Sequence, residues 1–255
     1  MELFFIIILS LLIGSFLNVC IYRIPKKESI ILPRSHCPSC QKTLEVFDLI
    51  PIFSYLFLKG KCRFCKHPIS FTYPLVEILT SLGSVFLFLN FSLSSVFFLY
   101  SFLFYVLVVI TFIDLKHFII PDVITLPNIL LGFLLSLFGL STTSSDSLLG
   151  ILIGGGILYG MGTLYYVFTK KEGMGGGDIK LMAMLGAFLG SKAALFIILI
   201  SSVLGAFGGF LILFVTRQSK ETPIPFGPYI ALASMIYIFY GELIIKWYFG
   251  DLFFT

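Results

Sequence analysis

Asp114 and Asp178 are the residues of this 255-residue chain whose setting most needs a chemical explanation. Asp114 ends the uncharged run 92–113, and Asp178 follows Gly175-Gly176-Gly177 and opens the apolar run 179–190. A carboxylate in or against a bilayer is costly and tends to mark function. Two carboxylates that meet cannot both ionise readily, so they share a proton and supply one base and one acid. That pair can activate water and protonate a leaving amine, which is the chemistry of peptide hydrolysis. The pair titrates as a unit, so neither role is assigned to one residue. Each aspartate alone is also explicable as a helix cap, a role that Asp122, after Pro121, fits closely. The three glycines weigh the other way for Asp178. They cost backbone entropy and allow the close approach of a substrate backbone.

A second constellation is Cys37-Pro38-Ser39-Cys40 with Cys62-Arg63-Phe64-Cys65. Two such hooks let four thiolates converge in a tetrahedron, the geometry of structural zinc. Two disulfides, redox catalysis by one hook and an iron–sulfur cluster are the other readings; a cytoplasmic setting disfavours the disulfides. The segment around the hooks, read as poor in apolar residues, is expected to take the metal as its core. His36 and His67 flank the hooks but are not needed as ligands. Cys20 reads as a packing residue. No Gly-x-Ser-x-Gly elbow and no His-Glu-x-x-His occurs, which argues against serine or zinc peptidase chemistry.

The elements that must position these groups follow from composition. Hydrophobic residues make up 58% of the chain and charged ones 12%, with a mean hydropathy of +1.05. A soluble domain carries about 25% charged residues. Apolar runs fall at 3–22, 74–89, 92–113, 123–140, 148–168, 179–190, 193–215 and 228–245, the sixth being short for a crossing. The expected fold is an all-α polytopic membrane protein of about eight transmembrane helices, one of them short. The first run is expected to be retained rather than removed as a signal peptide. The expected organisation is a first helix over 1–24, a cytoplasmic tetracysteine insert over 25–73, and a membrane core over 74–255. Basic residues crowd the insert, so it is placed in the cytoplasm and the N-terminus outside. Inside loops then fall at 114–122, 169–178 and 216–227, the last with Arg217 and Lys220. Both aspartates thereby lie at the cytoplasmic membrane edge. The net charge of +4 reads as topological charge facing anionic lipid headgroups. No aromatic-interleaved basic array points to nucleic acid.

Taken together, these motifs resemble a known family. Gly175-Gly176-Gly177-Asp178 fits the GxGD motif, and it stands with Asp114-x6-Pro121-Asp122, the paired hooks, Tyr73-Pro74-Leu75-Val76-Glu77 and Pro225-Phe226-Gly227-Pro228. Gly14-Ser15-Phe16-Leu17-Asn18-Val19 and Arg23-Ile24-Pro25 complete the series. It is similar to the type IV prepilin peptidases, in their order, from residue 14 to about 230. The resemblance implies cleavage of the positively charged leader of prepilins and pseudopilins at the cytoplasmic face of the bacterial inner membrane. It implies Asp114 and Asp178 as the catalytic pair, with Gly175, Gly177 and Asp122 as supporting positions.

For tetracysteine members it further implies N-methylation of the new N-terminus with S-adenosylmethionine. Gly60 matches a glycine linked to that activity, and Glu77 reads either as structural or as involved in methyl transfer. Glu242 is expected near the outer end of the last run. Peptidase activity without methylation is the alternative. A carboxylate-dependent transporter would show internal repeats and midplane sites, neither of which is visible. A presenilin-like GxGD peptidase would lack the tetracysteine insert, and a zinc-dependent anchor protein would not need eight crossings. The oligomeric state and the filament system served are not legible.

Overall fold

The computed structural model describes residues 1–171, 173–216 and 224–249. Eight α-helices are present among them: α1 (Glu2–Arg23), α2 (Phe53–Phe57), α3 (Thr72–Phe91), α4 (Ser95–His117), α5 (Asp122–Leu137), α6 (Ser144–Thr169), α7 (Gly176–Thr216) and α8 (Gly227–Phe249). No strand forms among the described residues, which show two isolated β-bridges. Six helices are long and apolar enough to cross a membrane, and α5 is a shorter apolar helix. The protein is therefore an all-helical, multi-pass membrane protein.

Two compact units divide the chain, Met1–Val109 and Ile110–Thr255. In the first, α1 and α3 run antiparallel. Asn18 donates to the Tyr73 carbonyl (3.0 Å), and the backbone at Gly14 lies so near Glu77 that a Cβ there would stand 2.8 Å from its Cα. Arg23, buried at the end of α1, donates to the carbonyls of Ser29 and Pro33 (both 2.8 Å) and folds the start of the insert back on the helix. In the second unit, α6 lies against the first part of α7 through glycine. A Cβ on Gly150 would collide with the Gly186 carbonyl, and one on Gly154 would stand 2.5 Å from the Met182 carbonyl. Such backbone approach maximises dispersion contact where no hydrophobic force acts between helices in lipid. Gly154, Gly155, Gly205, Gly208 and Gly209 likewise face neighbours, whereas Gly156 faces open space.

α7 is one run of 41 residues broken at Gly190, whose φ of 86° and ψ of −177° are not helical. Before the break, α7 ascends beside α5, with Ile120 against Gly177 and Gly132 against Phe188. After it, Gly205 and Gly208 lie against Phe226 and Tyr229 at the start of α8. Gly227 in turn lies against Asp114, at the end where α7 begins. The chain thus reverses at Gly190, and the short sixth run is a real helical arm (residues 176–189). Asp146 secures the reversal: its carboxylate accepts from the Ser191 N–H (3.1 Å), the Ser191 hydroxyl and the Thr142 hydroxyl (2.9 Å). Arg217 and Lys220, used to assign an inside loop, lie outside the described residues.

Candidate active site

One end of the second unit gathers the acidic residues singled out above. Asp114 is in the last turn of α4 and only 5% exposed. Its Oδ2 accepts a buried hydrogen bond from the Gly227 N–H at 2.8 Å. Gly227 is the first residue of α8, and its neighbour Pro228 has no N–H to offer. The free donor and the positive end of the α8 dipole therefore both face Asp114. No side chain fits there: a Cβ on Gly227 would stand 2.8 Å from Asp114 Oδ2.

Asp178 is half-buried in the first turn of α7. Asp114 acts on it electrostatically, so the two carboxylates, carried by different helices, lie at the same end of the unit. The glycines ahead of it shape the approach. The Asp178 N–H closes a turn on the Gly175 carbonyl (3.1 Å). A Cβ on Gly177 would stand 2.8 Å from the Ile120 side chain, so the turn can pass the α4–α5 connection only as glycine. A Cβ on Gly175 would be 3.3 Å from Asp178 Oδ2, crowding the carboxylate itself.

Asp122 differs from its expected role as a cap. Pro121 occupies the cap position of α5, and no side chain caps it. Asp122 is the first helical residue, and its two oxygens each accept from Lys180 Nζ at 2.7 Å. Pro121 displaces the aspartate by one position because its fixed φ suits the entry to a helix. Lys180 thereby ties α5 to α7 two residues beyond Asp178. Gly227 is the residue that sequence reasoning passed over. It sits in a motif that had been noted, but only folding shows its N–H aimed at Asp114. A Gly-Pro pair opening an apolar run was the available signal. Glu242 is exposed on α8, far along the helix from Gly227.

In the first unit the four hook cysteines converge. Their Sγ atoms all lie within 4.8 Å of one another, and Cys37 and Cys65 are 3.8 Å apart. A tetrahedral ion with metal–sulfur bonds of about 2.3 Å requires sulfurs about 3.8 Å apart. The residues fit such an ion. Each hook is built alike: the N–H groups of Cys37 and Cys62 donate to the Lys42 and His67 carbonyls, and Gln41 and Lys66 both adopt φ of 59°. A hydrogen bond from the Cys65 N–H, ahead of other effects, holds the Cys62 thiol down to about 7. The His67 N–H favours the Cys65 thiolate, yet desolvation and the three other sulfurs push that thiol up to about 11. Four sulfurs this close cannot all ionise without a cation among them. All five cysteines are free thiols, and neither histidine belongs to the cluster.

Glu77 and Gly60 shape the insert. Glu77, buried on α3, accepts from the Ile52 N–H at 2.8 Å. Gly60 has φ of 67°, and a Cβ on it would be 3.0 Å from the Tyr55 hydroxyl.

Comparison with known proteins bears on both units. Residues 8–91 match the model for the bacterial peptidase A24 N-terminal domain, and residues 101–210 match that of the type IV leader peptidase family. Proteins named prepilin leader peptidase/N-methyltransferase are similar along almost their whole length. The one from Aeromonas hydrophila is 38% identical, covering 95% of this chain and 92% of the relative. The Pseudomonas aeruginosa protein is 37% identical, with 95% and 91% covered. That from Xanthomonas campestris pv. campestris is 40% identical, with 94% and 92% covered. No solved structure matches significantly. With both family models in sequence and full-length relatives at this identity, the chain belongs to the type IV leader peptidase family.

Proposed function

We propose that this protein cleaves the leader peptide of type IV prepilins and pseudopilins and N-methylates the residue exposed by the cut. The observation that carries the peptidase reading is the placement of Asp114 and Asp178 at one end of the same unit, within electrostatic reach of each other, with the α8 N-terminus donating to Asp114. One carboxylate takes a proton from water, which attacks the scissile carbonyl carbon. The other protonates the departing amine nitrogen as the C–N bond breaks. Gly176, which faces open space, and Gly175, beside the Asp178 carboxylate, leave the approach free of side chains, so an extended substrate backbone can reach the pair, while Gly177 lets the turn pack on Ile120. Asp122, held by Lys180, sets the lip of the site without touching the reacting atoms.

The four cysteines are assigned to a structural zinc ion, on the sulfur separations and the cytoplasmic placement of the insert. Bound there, zinc would neutralise the thiolates and hold the two hooks together. The insert over 25–73 and the membrane core over 74–255 would then divide the work, with hydrolysis assigned to the core. The name N-methyltransferase borne by the relatives supports methylation, and with it S-adenosylmethionine as donor. Glu77 and Gly60 do not present a cradle for that molecule. Glu77 is engaged by Ile52, and Gly60 is packed on Tyr55. They enter the proposal as residues that shape the insert, and no transfer step is routed through them. Because they are so occupied, cleavage without methylation is the second reading. Cations crowd the insert, so it and the aspartates are assigned to the cytoplasmic face of the bacterial inner membrane.

Cleavage of a prepilin peptide in liposomes by wild type, Asp114→Asn and Asp178→Asn tests the first reading. Each substitution is expected to remove cleavage; retention in both sinks the dyad. Mass spectrometry of the product with and without S-adenosylmethionine decides between the two readings, since an unmodified amine despite active cleavage means peptidase only.

A further inference from the structure

The insert carries an apolar face that its own fold does not cover. Stretch 46–58, Val-Phe-Asp-Leu-Ile-Pro-Ile-Phe-Ser-Tyr-Leu-Phe-Leu, contains one charged residue, Asp48. The expectation of an insert poor in apolar residues is therefore corrected: they are plentiful but lie outside. Val46 is 67% exposed, Phe47 70%, Phe53 58%, Leu56 64% and Phe57 84%. Asp48 is turned inward, its side chain 2% exposed, and pairs with Arg63 at 2.7 Å. An exposed patch of this kind on a folded segment marks a contact surface.

Three observations say what covers it. The first is depth. Ile52 donates its N–H to Glu77, in the second turn of α3. Helical side chains lean toward the N-terminus, so Ile52 stands level with the first turn, where the apolar part of α3 begins. α2, which starts at the next residue, lies at that same level. The second is strain. Ile52 has φ of 62° and ψ of −54°, and Phe53 donates to the Pro51 carbonyl at 2.6 Å. This is a γ-turn of the rare positive-φ kind, unfavourable for a β-branched residue. It persists because Glu77 holds the Ile52 N–H, and it swings α2 out with Phe53, Leu56 and Phe57 uncovered. The third is charge. Segment 25–73 carries eight Lys and Arg against three acids, with Lys59 and Lys61 directly after α2.

From these we infer that residues 46–58 form an interfacial anchor that seats α2 among the acyl chains and anionic headgroups bordering α3. Amphipathic segments of this type bury their apolar face about 5–10 Å into that boundary. Lys59 and Lys61 reach the phosphates while their stems stay with the lipid. Glu77 is the latch that fixes the depth of the anchor, and the zinc hooks are thereby held close to the membrane surface. The inference rests on α1 and α3 spanning the membrane, not on the hydrolytic chemistry.

The test uses full-length protein in vesicles of phosphatidylcholine and phosphatidylglycerol. Trp247, the one tryptophan of the chain, is 82% exposed on α8 and reports insertion of the unaltered protein. Phe57→Trp in a Trp247→Phe background reports the anchor, and Leu56→Trp repeats it on the same face. Lipids brominated high on the acyl chain are expected to quench both reporters roughly twofold or more, and lipids brominated near the chain end much less. Reporters quenched by aqueous iodide and untouched by bromolipid overturn the inference. Reporters shielded from both quenchers also overturn it, and make the face a protein contact. If wild-type Trp247 itself escapes bromolipid, the membrane-spanning reading fails, and the anchor with it.

Discussion

At the scale of single residues, Asp114 and Asp178 matter less as charges than as partners whose surroundings allow nothing bulkier. Loss of a positioned acid or base lowers the chemical step by roughly 10²–10⁴-fold, so Asp114→Asn and Asp178→Asn should each fall at least this far in kcat. Gly227→Ala is the more discriminating variant. The added methyl must displace the Asp114 carboxylate, and small misplacements of a catalytic group cost about 10²-fold in rate. Its kcat should drop while KM for the peptide and bound zinc stay near wild type. Unchanged kcat would mean that the Gly227–Asp114 contact positions nothing. Glu77→Ala belongs here too. It leaves the partly buried Ile52 N–H without its acceptor, destabilising the insert by about 1 kcal/mol. Faster amide exchange over residues 50–58 in Glu77→Ala is the check.

At the scale of elements, the pairing of α6 with the first arm of α7 carries the arm that bears Asp178. Gly186→Val drives a side chain into the Gly150 backbone. Overpacking costs about 1–3 kcal/mol, and the thermal midpoint in detergent should fall. Gly156→Val, on the same helix as Gly150 but facing open space, is the control, with a change within about 0.5 kcal/mol. Equal losses in both would show that helix propensity, not backbone contact, sets the effect. The Asp122–Lys180 pair is partly exposed on both sides. An exposed ion pair contributes about 0–1 kcal/mol, so Lys180→Met should leave the thermal midpoint almost unchanged.

At the scale of the molecule, the two units owe their stability to different things. Residues 110–255 contain no cysteine and pack by apolar helices. The insert buries little beyond Cys37, Cys62 and Pro51. Chelation of the metal assigned to the hooks, or Cys37→Ser with Cys62→Ser, should expose 25–73 to limited proteolysis while the helices of 110–255 stay protected. Protection of both after complete metal removal would show that the insert folds without the ion.

Much of this was legible in the residues. The apolar runs located the helices, because lipid demands about 20 apolar residues per crossing whatever the partners are. The paired hooks announced a four-sulfur cluster, because that geometry depends on local turns. The glycine turn ahead of Asp178 was legible for the same reason. Neighbours decided the rest. Whether 179–190 formed its own arm depended on Asp146 meeting Gly190 and Ser191, 45 residues further on in the case of Ser191, at the reversal. Asp122 reads as a cap from the sequence, but Pro121 takes that position and Asp122 pairs with Lys180 instead. Gly227 had no visible role until α8 pointed its first N–H at Asp114. Sequence by itself determined which groups the protein owns and where the apolar runs that carry them lie, since hydropathy and local turns are properties of short segments. Only the tertiary structure decided which groups meet, because a carboxylate's partner is set by the packing of helices that can lie 113 residues apart, as Asp114 and Gly227 do.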